Sequence, residues 1–242
     1  MTIFADIALL AWVPISLALF LALGRPLPAA CLTILGALLF LPKHRGFDLP
    51  LVPTLDAFRI GLLSAFGFTI ALYGNQLRLR RGSEAFLVLP VTIVLGPVLT
   101  IATNRDPLSY GPLTLPALTT HDMISICLQQ AIDYGVPFCL GLLLFRRARD
   151  LRFIMTCLVA AGFVYSFFVW IELRLSPQFH NWVYGYHQHQ FLQTVRDSGF
   201  RPMVFMTHGL ELAGFLLAVC IAAWTLWRAR ARVRGGAMLP GA

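Results

Sequence analysis

The residues most able to do chemistry lie in one polar stretch, Arg174 to Gly209, reading RLSPQFHNWVYGYHQHQFLQTVRDSGFRPMVFMTHG. It holds four of the six histidines, His180, His187, His189 and His208, with Trp182, Tyr184, Tyr186, Arg196 and Arg201. A segment needed only as a connection would be shorter and plainer. Aromatic rings, imidazoles and guanidinium groups together suit recognition of sugars and phosphates; the aromatics alone also fit an interfacial belt. Arg201 precedes Pro202 and an apolar run, and proline favours the first position of a helix. The spacing therefore predicts Arg201 at the N-terminus of a helix that starts at Pro202, an end that attracts anions. An arginine anchoring that helix to lipid phosphates is the plainer alternative.

Two further groupings carry ionisable side chains. His208 and Glu211 are spaced i, i+3, which places them on one face one to two turns inside the predicted helix, as a proton-transfer pair or a structural hydrogen bond. Gln129 and Asp133 are spaced i, i+4 in another apolar run, as a helix–helix contact or part of a water-filled cavity. His187-x-His189 has no accompanying carboxylate pattern, so no metal site is expected. Arg105, His121 and Asp122 read as loop residues. The five cysteines, Cys31, Cys127, Cys139, Cys157 and Cys220, fall in apolar runs without a C-x-x-C pair and read as small core residues.

These groups need elements to hold them, and composition says which. The 242 residues are 58% hydrophobic and only 12% charged, against about half and a quarter in soluble domains. Mean hydropathy is +0.74. About 20 apolar residues cross a bilayer, and the chain has seven apolar runs: Ala5–Leu23, Leu27–Leu41, Ile60–Tyr73, Ala85–Thr103, Ile124–Phe145, Phe153–Leu173 and Met203–Trp227. The expected fold is an all-α polytopic membrane bundle of about seven helices, a single domain over 1–234 with a disordered tail over 235–242. The first run lacks a preceding basic region and reads as a retained span, not a signal peptide.

Charge placement predicts orientation. The net charge is +8, with Lys43 the only lysine. Arg25, the loops after the third and fifth runs and the tail hold twelve of the nineteen cations, and the other loops hold seven. The positive-inside rule puts the first group in the cytoplasm and the N-terminus outside, with loops 42–56, 104–122 and 174–201 facing out. The basic balance is thereby explained through the lipid surface, without a nucleic-acid partner. Some functions drop out. No phosphate-binding G-x-x-x-x-G-K-[ST] loop, H-E-x-x-H or G-x-S-x-G is present, and no span carries a lysine for a retinal Schiff base.

The stretch SPQFHNWVYGYHQHQFLQTVRDSGFRPMVFMTHGL resembles the O-antigen ligase and exopolysaccharide polymerase-like membrane proteins, in its S-P-x-x-H, its Y-G-x-x-Q-H-like segment and its R-P-x-V-F-x-x-H-G-L ending. LPKHRGFDLPLVPTLD and QQAIDYGVPFCLGLLLF also look like this group, and the resemblance extends over about residues 20 to 225. It implies a metal-independent glycosyltransferase without a cofactor at the periplasmic face of the bacterial inner membrane. Its donor would be a glycan on undecaprenyl pyrophosphate: an acceptor hydroxyl attacks the anomeric carbon and the pyrophosphate leaves. By resemblance, Arg201 and then Arg196 stabilise the leaving charge, and His208 accepts or relays a proton or positions the site. His187, Tyr184, Trp182, His189 and Glu211 are expected to contact substrate. Members of that family are usually about twice as long, so the chain is expected to correspond to the N-terminal half, with a partner membrane chain as one route to completeness. Two alternatives stay open: a non-catalytic subunit of a polysaccharide assembly or export complex, and a small-molecule transporter using Gln129, Asp133, His208 and Glu211.

Overall fold

A computed structural model describes residues 3–79, 82–197 and 199–229. The predicted tail at 235–242 and the last residues of the predicted 1–234 domain lie outside them. The chain is mostly helical. Helices α1 (Ile3–Leu23), α2 (Pro26–Phe40) and α3 (Ala57–Tyr73) are followed by α4 (Val88–Thr103), α5 (Thr120–Gln130), α6 (Val136–Leu144), α7 (Ala148–Leu175), the short α8 (Phe179–Tyr184) and α9 (Gly209–Arg228). Three two-stranded hairpins lie in the connections: β1 (Gly46–Leu49) with β2 (Val52–Asp56), β3 (Leu108–Tyr110) with β4 (Leu113–Leu115), and β5 (Val195–Arg196) with β6 (Gly199–Phe200). Six helical stretches are long and apolar enough to cross a membrane: Ile3–Leu23, Ala57–Gln76, Ser83–Thr103, Thr120–Leu144, Ala148–Leu175 and Gly209–Arg228. The remaining expected span, α2, is apolar but has only 15 residues.

Prolines act where they fall. Pro90 sits in the first turn of α4, where its missing N–H is no loss, while Pro97 lies inside that helix. Pro137 follows α5 closely, and its ring would press on the carbonyl of Asp133. The backbone widens there into a π-helical turn, Ala131–Gly135, between α5 and α6. Thr119 and Asp122 close the start of α5 as a reciprocal capping box, so the helix begins four residues before the apolar run.

Helix α3 packs on α1 and α2, α4 on α5, and α7 on both α2 and α9. Gly162 permits the close approach of α7 and α9: a Cβ there would lie 2.5 Å from Val219 Cγ1. Large side chains such as Phe163 and Trp170 face outward on α7, at 82% and 70% exposure, as a lipid-facing surface requires. Tyr165 is fully buried where α2 and α7 meet; its hydroxyl donates to Leu39 O and accepts the Phe205 N–H, both at 3.1 Å.

The seventh predicted run departs from expectation. Its helix starts at Gly209, not at Pro202. Met203, Val204, Phe205 and Met206 form a buried irregular segment, the last three packed in a cluster with Tyr165, Tyr184 and Leu39. These four side chains are apolar because they pack inside the protein, not because they face lipid. Val204 has φ +56°, outside the helical region. The predicted loop 174–201 is therefore longer at its C-terminal end, and it carries α8, a 3₁₀ turn and the β5–β6 hairpin.

Candidate functional site

The 176–208 segment is tied down from below by Glu172 near the end of α7. That side chain is 1% exposed. Its Oε2 accepts the N–H groups of Met203 and Val204 at 2.8 and 2.7 Å, and Oε1 accepts that of Phe179 at 3.2 Å. One carboxylate thus joins both ends of the segment.

His180, in α8, forms a second tie. Its Nδ1–H donates to Tyr186 O at 2.9 Å, and Nε2 accepts the Lys43 N–H at 3.2 Å. The ring must stay neutral to accept at Nε2, and burial lowers its pKa to about 4. Tyr184 and Tyr186 donate to the carbonyls of Phe40 and Lys43, each at 2.6 Å. Burial pushes both phenols up to about 12, so both remain O–H donors. The unfolded His180 takes up a proton near pH 6.5 while the folded one resists to about 4. Stability is therefore full above pH 6.5 and declines as pH falls from 6.5 toward 4, by up to about 3 kcal/mol. Unfolding midpoints of the detergent-solubilised chain across this window should show that slope. His180→Gln, less stable at neutral pH, should lose most of it; an unchanged slope would contradict the assignment.

Above these ties a cavity of about 390 Å³ is lined by His189, Gln193, Thr194, Arg196, Arg201, Met203, His208, Gly209 and Leu210. The hairpin builds its cationic wall. Arg196 pairs with Gly199 across β5 and β6, and Arg201 follows directly, its N–H donating to Thr194 O at 2.8 Å. Arg196 Nη1 donates to the carbonyls of Gln193 and Val195. The Arg201 guanidinium has no hydrogen-bond or ion-pair partner among the described residues.

Arg201 does reach a helix N-terminus, though by a different route from the predicted one. The chain runs through the buried 203–206 segment and returns, so that the arginine side chain lies across Gly209, the first residue of α9. A Cβ at Gly209 would come within 2.7 Å of Arg201 Cγ and Cδ. The guanidinium and the start of α9 have the same sign, and only an anion satisfies both.

His208 is the N-cap of α9, not a residue inside it. Its Nδ1 accepts the Glu211 N–H at 3.1 Å. In that tautomer the proton sits on Nε2, so the ring is a donor toward the cavity, not a base at that atom. His189 and His208 have ring centroids 6.4 Å apart. Glu211 turns the other way: Oε2 accepts the Thr207 N–H at 2.7 Å and Oε1 meets Lys43 Nζ at 3.3 Å. With Lys43 it lines a separate cavity of about 650 Å³, together with His44, Arg45, Asp48, Thr54, Asp56 and Thr207.

The structure thus brings Arg196, Arg201, His189 and His208 together around one cavity. Glu211 belongs to a second cavity and His187 to a third. Tyr184 is buried with its hydroxyl committed to Phe40, and Trp182 is exposed and packs edge-on against Phe179; neither lines any of the three. Asp133 forms a bidentate ion pair with Arg59, at 2.8 and 2.7 Å. Among the described residues no three His, Cys, Asp or Glu side chains converge as a metal-ligand set. Sequence reasoning missed Glu172, Lys43, His44 and Arg45, the last three of which lie more than 130 residues before the segment they face. Comparison with protein-family models, curated proteins and solved structures finds no match to this chain.

Proposed function

We propose that this chain is an O-antigen ligase or polymerase-like glycosyltransferase of the bacterial inner membrane, acting at its periplasmic face on a glycan linked to undecaprenyl pyrophosphate. The observation that supports the reading is the Arg196–Arg201 cavity at the start of α9. Two guanidinium groups, neither of them ion-paired among the described residues, and a helix N-terminus surround it, and no carboxylate is among its lining residues. Departure of a pyrophosphate needs preorganised positive charge of this kind. In this reading Arg201 and Arg196 hold the phosphates, His208 donates from Nε2, and His189 closes the wall. In the same reading α2 is a seventh span, and the positive-inside rule puts the N-terminus and the 176–208 segment outside.

The test is complementation in a strain lacking the gene, with lipid-linked and surface glycans resolved by length. Wild type should restore long polymer. Arg201→Ala should leave short lipid-linked units, a loss of at least about a hundredfold in product, since removing one preorganised charge-stabilising group costs about 10²–10³ in rate. Gly209→Ala should reproduce much of that loss at normal protein levels, because its methyl group displaces the arginine chain while α9 still forms. Glycans unchanged in the Arg201→Ala strain would overturn the reading.

A further inference from the structure

A third cavity, of about 380 Å³, adjoins the arginine cavity and shares His189 with it. Its wall is His44, Arg45, Tyr186, His187, Gln188 and His189. It therefore holds a guanidinium and three imidazoles with no carboxylate among the lining residues. Several of its donors are already spent. Tyr186 donates to Lys43 O, and the Gln188 amide nitrogen donates to the carbonyls of Val204 and Met206 at 3.0 and 3.1 Å.

Other groups are free to meet a ligand. Arg45 has one long contact, 3.6 Å from Nη2 to Asp6 Oδ2, which leaves Nη–H donors for a ligand, while its buried Nε–H has no acceptor among the described residues. An unmet guanidinium donor is costly. His187 makes no hydrogen bond among the described residues, and His189 only a 3.4 Å contact with Gln190 O. The Gln188 oxygen accepts from none of the described residues. His44 is held at φ +53°, a left-handed conformation that costs energy in a non-glycine residue and fixes the wall at this corner.

A guanidinium, imidazoles, a free amide acceptor and an aromatic ring in one cavity match more than a bare anion. The donors suit a carboxylate or phosphate, while the Gln188 oxygen and the Tyr186 ring suit a hydroxyl-bearing ring. We propose that this cavity binds the anionic substituent of an acidic sugar, placed beside the pyrophosphate in the Arg196–Arg201 cavity. This rests on the proposed glycosyl transfer, and it specifies that the donor glycan is acidic.

The test uses the full chain in zwitterionic-lipid nanodiscs, titrated separately with glucuronate, glucose, inorganic phosphate and pyrophosphate. Glucuronate should bind at least tenfold more tightly than glucose and than phosphate. Arg45→Gln and His187→Gln should each weaken glucuronate at least tenfold and leave pyrophosphate binding intact. Asp6→Asn, which removes the competing carboxylate without touching the cavity wall, should tighten glucuronate. Arg201→Ala should do the opposite of Arg45→Gln, losing pyrophosphate and keeping glucuronate. Equal binding of glucuronate and glucose, phosphate as tight as glucuronate, or indifference to both His187→Gln and Asp6→Asn would overturn the proposal. Glucuronate binding that depends on Arg45 in a protein that ignores pyrophosphate would support this site and count against the transfer reading alone.

Discussion

Glu172→Ala should detach the 176–208 segment from the bundle. The substitution strands the N–H groups of Phe179, Met203 and Val204, which in the native chain all end on this one carboxylate. Each buried donor left without an acceptor costs about 1–3 kcal/mol, so the combined loss is at least about 3 kcal/mol. Glu172→Gln keeps one acceptor oxygen but turns an NH₂ group toward the remaining donors, and should fall between wild type and alanine. The readout is limited trypsin digestion in detergent. Cleavage after Arg196 should quicken in the order wild type, Gln, Ala, while the helical content of the bundle is retained; the Arg201–Pro202 bond resists trypsin in all three. Equal digestion rates would show that the segment is held by its aromatic contacts instead. Those contacts, chiefly Phe205 against Phe40 and Phe179 against Phe168, satisfy none of the three N–H donors.

The second large effect is expected at Arg59 and Asp133. Their side chains are 13% and 17% exposed, and the pair joins α3 to the π-helical turn. Arg59 also donates to Thr54 O at 2.8 Å and lies 3.6 Å from Asp56. Asp133→Ala leaves a mostly buried guanidinium with only that distant carboxylate. Breaking a buried pair by removing one partner costs about 3–5 kcal/mol, and Asp56 should hold the loss to the lower end. The double variant Arg59→Met, Asp133→Leu should recover most of it, since an apolar pair of similar volume removes both desolvated charges. Chemical unfolding of the purified variants measures both effects. The double variant also separates function classes: glycosyl transfer should survive it, while a transporter relaying protons through Asp133 should not. A stable double variant with full glycan length would remove the transport alternative.

Legibility in the sequence followed the range of the interactions involved. Six of the seven expected spans coincide with helices long and apolar enough to cross a membrane, because such helices are apolar over most of their length. Arg196, Arg201, His189 and His208 could be grouped because one short segment supplies them all. Hydropathy misplaced the start of α9 because it scores Met203–Met206 the same whether they face lipid or a buried tyrosine. The inference about Arg201 reached a helix N-terminus through the wrong residue, since Pro202 does not begin the helix and Gly209 does. Lys43, His44 and Arg45 were invisible as site residues because only the folded chain sets α2's end against the 186–211 region. Glu172 resembled any acid near the end of a span; nothing local shows that three amide groups from later in the chain converge on it. Tyr184 drew attention as an aromatic beside histidines, yet its hydroxyl is already used on Phe40.

The ties on the 176–208 segment also imply an order of assembly. The groups that receive it, Phe40, Lys43, Tyr165 and Glu172, all precede it in the chain. As the chain emerges N-terminus first, its docking surface is complete before the segment is made. Met203 and Val204 can therefore lock onto Glu172 as soon as they emerge, ahead of Glu211, which follows them in the chain. The start of α9 at Gly209 is then fixed before Glu211 reaches Lys43, and the Lys43–Glu211 contact is the last of these ties to close.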